Sequence, residues 1–141
     1  MVNLPSGLPE HVDDKENIAR FLTSSNQFNS IIVKPSAFLP SPQHRETSVS
    51  RHGRNPPQNL WKIGKQVVAI SDRTLYGAAL LTAADIRSTG LDVLADEPPE
   101  RHAAIRKWPW LDNDSDLQKA QQKEIANQLA AAAGPPFLIG T

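Results

Sequence analysis

The strand-like segments of this chain are short, and none carries a long run of valine or isoleucine. A parallel sheet covered on both faces needs such runs, which argues against that architecture. What fits is an α+β domain: a small, largely antiparallel sheet with two or three helices packed on one face. A length of 141 residues suits one domain, and 39% hydrophobic residues are enough for a core.

Punctuation along the chain divides it further. Residues 1–12, with Pro5, Gly7 and Pro9, read as a flexible, disordered N-terminal arm; residues 13–134 are the single domain and 135–141 a C-terminal tail. Asp13 followed by Glu16 has the form of a capping box and predicts a short helix over 15–22. Ile31–Val33 is a strand candidate stopped by Pro35, and residues 46–51 are a second strand. Asn55 before Pro56 opens the best-signalled helix. Leu60, Ile63, Val67 and Ile70 share one face of it, Trp61 seals the edge, and Gly64 marks close packing. Thr74–Leu80 reads as a strand, Thr82 and Asp85 as a second capping box whose helix ends at Gly90, and Leu91–Leu94 and His102–Arg106 as strands. Ser115 and Gln118 cap the last helix, which Gly134, Pro135 and Pro136 stop.

Charge narrows the function classes. Fifteen basic residues balance fifteen acidic ones, which argues against a protein that coats DNA. The balance is uneven: residues 34–76 hold seven Lys and Arg against Glu46 and Asp72, so a weak RNA contact is expected there if anywhere. With no cysteine, disulfides, thiolate nucleophiles and thiolate zinc sites are excluded. The four histidines show no i,i+4 pairing, so neither a metal nor a cofactor is expected. No signal peptide and no apolar run of about 20 residues is present, and the expected location is the cytoplasm.

The polar stretch 45–52 carries the candidate chemistry. On a strand, Glu46, Ser48, Ser50 and His52 share one face, while Arg45, Thr47, Val49 and Arg51 share the other. Glu46, Arg51, His52 and the later His102 supply what metal-independent RNA cleavage requires: a base, an acid, and arginine against phosphate charge. The plainer reading is a solvated strand face, with His102 bonded to a backbone carbonyl. Trp108 and Trp110 make either a hydrophobic lid or, with Arg45 and Arg54, a contact surface for another protein.

Arg20-Phe21, Val33-Lys34-Pro35, the Ser48-Val49-Ser50-Arg51-His52 strand, Leu60-Trp61, Leu75-Tyr76-Gly77, His102-Ala103 with Ile105, and Trp108-Pro109 occur in an order that resembles a family of small bacterial proteins with no assigned activity. The resemblance implies a bacterial or phage source and one compact domain. This chain departs from it at Ala78, Leu80 and Lys107, where the family tends to carry Arg, Asp and Gly. The favoured expectation is a non-enzymatic accessory or protein-interaction module of a bacterial operon, in defence or toxin control. The alternative is a small metal-independent enzyme acting on RNA or a nucleotide.

Overall fold

A computed structural model describes residues 3–140. Six strands form one antiparallel sheet: β1 (Asn17–Leu22), β2 (Thr47–Arg51), β3 (Gly77–Thr82), β4 (Asp92–Ala95), β5 (His102–Arg106) and β6 (Phe137–Leu138), in the spatial order β4-β5-β2-β1-β3-β6. With α1 (Leu60–Ser71), α2 (Ala83–Arg87) and α3 (Ser115–Ala133), the fold is α+β.

The helices do not share a face. Ile18, Leu22, Val49, Ala103 and Ile105 join Ile86 of α2 and Ala126 and Leu129 of α3 in the main core. Ala19, Phe21 and Ala78 meet Ile63 of α1 in a second, smaller one. β1 is therefore buried on both faces. Such a strand shows no alternation of polar and apolar residues, which is why 15–22 read as a helix. Asp13 does accept a bond from the Lys15 amide, but Glu16 turns away to the interior.

Three other boundaries move for local reasons. Asn29 Oδ1 accepts from the amides of both Ile31 and Ile32 and turns the chain there, so only Val33 of that strand candidate bridges, to Phe28. The helix expected to start at Asn55 starts instead after Asn59, which is left-handed at φ 57°. In α3 the capping side chain is that of Asp114, which accepts from the Leu117 amide, while Gln118 Oε1 accepts from the Leu111 amide. The Thr82–Asp85 capping box forms as read. So does the close packing at Gly64, where a Cβ would stand 2.8 Å from Phe21 Cε1.

The described residues near both ends pack on the domain. Met1, Val2 and Thr141 lie outside the described residues. Of the expected arm, residues 3–12 are tied down: Ser6 donates to Glu97, Arg51 donates to the Pro9 and His11 carbonyls, and Val12 is buried. In the tail, β6 pairs with Gly77 and Ala78 at the sheet edge.

Candidate functional site

The sheet divides between β1 and β2. β1 pairs with β3 at six positions and β2 with β5 at four, but β1 pairs with β2 at only two, Ile18–Arg51 and Ala19–Ser50. The two strands are held together at the Asn17 end, where the His52 amide donates to the Asn17 carbonyl and the Asn17 amide to the Gly53 carbonyl. Beyond Ala19 they part. Arg20 fills the gap: its Nε donates to the Ala37 carbonyl (2.7 Å) and its Nη1 to the Ser48 carbonyl (2.9 Å), an acceptor a regular β1–β2 ladder would have used. A charged residue inside Ile-Ala-Arg-Phe-Leu is the sequence signal for this gap.

The gap opens into a cleft of about 440 Å³. Its lining includes Ser48 and Ser50 of β2, Glu46, His44, His102 of β5, Val67 and Ile70 of α1, and Thr23 and Arg73. Ile70, expected on the buried face of α1, is 74% exposed at the rim. The face predicted for Glu46, Ser48 and Ser50 is thus the floor of a cavity.

His102 stands opposite Ser50 across the β2–β5 pair. Its Nδ1 lies 2.9 Å from the Asp96 carbonyl and 3.3 Å from the Asp96 carboxylate. A carbonyl can only accept, so Nδ1 carries the hydrogen. Nε2 is then the ring atom free to take or give a proton. Glu46 lies beside Arg106, Nε to Oε2 3.3 Å, and that guanidinium also lies 3.8 Å from Asp96.

His52 is differently placed. It is fully buried, with Nδ1 donating to the Gln58 carbonyl and Nε2 accepting from the Ser50 hydroxyl, both at 2.7 Å. Residues 53–59 form the loop that closes over it, which delays the start of α1. Burial pushes the imidazole below its ordinary pKa; the bond to Gln58 opposes that, while Arg101 adds to it and Glu16 opposes it. With both nitrogens occupied, His52 reaches the cleft only through Ser50.

Arg51 does not join the cleft. It is fully buried on the opposite face and holds Glu16 through Nε (3.1 and 3.2 Å) and Nη2 (2.8 Å). Trp108 is 6% exposed in the main core, so it offers no contact surface. Trp110 is half-buried beneath the Arg45 guanidinium, 4.8 Å from its ring. Arg54 pairs with Asp13 at the surface, and neither it nor Arg45 lines the cleft. Of the four catalytic candidates, the fold brings Glu46 and His102 to one cavity, sets His52 behind it, and removes Arg51. Arg20, Arg73 and Asp96 are the residues that sequence reasoning did not assign to a site. Among the described residues, no group of three or more His, Asp and Glu is placed to hold a metal ion. No family model, curated protein or solved structure matches the chain.

Proposed function

We propose that the cleft is the site of a small enzyme that acts on RNA or a nucleotide by acid–base chemistry on protein side chains alone. The observation that carries this is His102, its Nδ1 fixed by Asp96, lining one cavity with the Glu46 carboxylate. In such a reaction one of the pair takes the proton of the attacking hydroxyl, whose oxygen bonds to phosphorus. The other protonates the oxygen that leaves. A ring held through Nδ1 suits either step, because protonation changes only Nε2.

The test is cleavage of single-stranded RNA and of nucleotides by the purified chain, in chelator, against His102→Ala. Loss of turnover by about 10²-fold or more, the usual share of a general acid or base, with an unchanged melting temperature is expected. Wild-type turnover at the buffer rate removes the reading. The accessory-module reading rests on one observation, the apolar exposure of Ile31 (71%), Phe137 (54%) and Tyr76 (39%). Stoichiometric capture of a partner that Ile31→Asp abolishes would favour it.

A further inference from the structure

The end of the cleft where β1 and β2 part holds two cations and no balancing carboxylate. Arg20 spends Nε and Nη1 on the Ala37 and Ser48 carbonyls, and its Nη2 has no hydrogen-bond partner among the described residues. Burial, and then the charge of Arg73, draw its guanidinium down to about 10, so it stays cationic at neutral pH. Arg73, which follows α1, also lines the cleft, and its Nη1 lies 3.5 Å from Thr23 Oγ1. Neither arginine takes part in any ion pair among the described residues. Two carboxylates do line the cleft: Glu46 is taken by Arg106, and Glu100 is exposed beside Pro99.

Holding the partly buried Arg20 guanidinium beside the charge of Arg73 costs free energy that no carboxylate among the described residues returns. An anion between them would return it. A guanidinium fork can saturate a carboxylate by itself, whereas a phosphate has oxygens enough for donors from both arginines. We propose that Arg20, Arg73 and Thr23 form a phosphate subsite, which takes the phosphate of a nucleotide or of an RNA backbone while His102 faces the same ligand. This deepens the reading of the cleft given above and rests on it for the identity of the ligand. Binding of phosphate itself does not depend on catalysis.

The experiment is a titration of the full, ¹⁵N-labelled chain with inorganic phosphate, adenosine 3′-monophosphate and a short single-stranded RNA, read at the arginine Nε–H and backbone signals. Phosphate should move the Arg20 and Arg73 Nε–H signals and the Thr23 amide. Arg73→Gln should weaken phosphate binding at least tenfold, Arg73→Lys should recover part of it, and Lys62→Gln should leave it unchanged. Arg73 is exposed, so its replacement spares the fold; Arg20, which holds two carbonyls, serves as the observed signal. Arg73→Gln binding as tightly as wild type, or acetate moving the same signals at the same concentration, would overturn the proposal. Tighter binding of the nucleotide or the RNA than of free phosphate names the source of the group. Phosphate bound at Arg73 without RNA cleavage keeps the subsite and removes the catalytic reading. Cleavage with KM unchanged in Arg73→Gln does the reverse.

Discussion

Glu16→Gln isolates the charge in the buried pair that Arg51 makes. The substitution keeps the shape of Glu16 and one of its acceptor oxygens, but leaves the fully buried Arg51 guanidinium without a counter-charge. Removing one member of a buried ion pair costs about 3–5 kcal/mol, because the other stays desolvated and uncompensated. The Gly53 amide, which donates to Glu16 Oε2 at 3.3 Å, weakens as well. An unfolding entropy of about 2 cal/mol/K per residue gives a domain of this length about 0.3 kcal/mol/K. The expected fall in Tm is therefore roughly 10–17 °C, read by circular dichroism or calorimetry. The double variant Glu16→Met, Arg51→Met removes both charges and should be more stable than Arg51→Met alone. It should still fall short of wild type, since the Pro9 and His11 carbonyls lose the donor that Arg51 gave them. A Tm for Glu16→Gln within about 3 °C of wild type, or strictly additive single effects, would refute the view that Arg51 is held for structure and not for catalysis.

The two C-terminal tryptophans should separate in the same assay. Trp108→Ala opens the main core and should cost about 3–5 kcal/mol, whereas Trp110→Ala loses little beyond the Arg45 stacking, about 0.5–1 kcal/mol; equal costs would contradict their placement. Stability should also carry a pH signature from His52. Its folded pKa lies below the unfolded value near 6.5, chiefly through burial, so below that value the unfolded chain binds a proton that the folded chain does not. Stability is then flat above about pH 6.5, falls as the pH drops, and levels off once the folded pKa is passed. Denaturant melts from pH 8 to 4.5 check this, and the step between wild type and His52→Gln should be absent if His52 is not the group responsible.

The sequence by itself determined those features that depend on neighbours along the chain. The Thr82–Asp85 capping box, the end of α3 at Gly134, and the alternation of residues 46–52 are local devices, and each appears where the residues put it. Alternation showed that Glu46, Ser48, Ser50 and His52 share a face; it could not show that α1 covers part of that face and turns the remainder into a cleft. β1 escaped because both of its faces are buried, and the pattern that marks a half-buried strand is then erased. The site was decided in three dimensions. Asp96 fixes His102 across a turn, Glu16 claims Arg51 from 35 residues away, and Arg20 sits where two strands part. Each of these depends on which charges folding buries together, and burial is set by long-range packing that spacing along the chain does not encode.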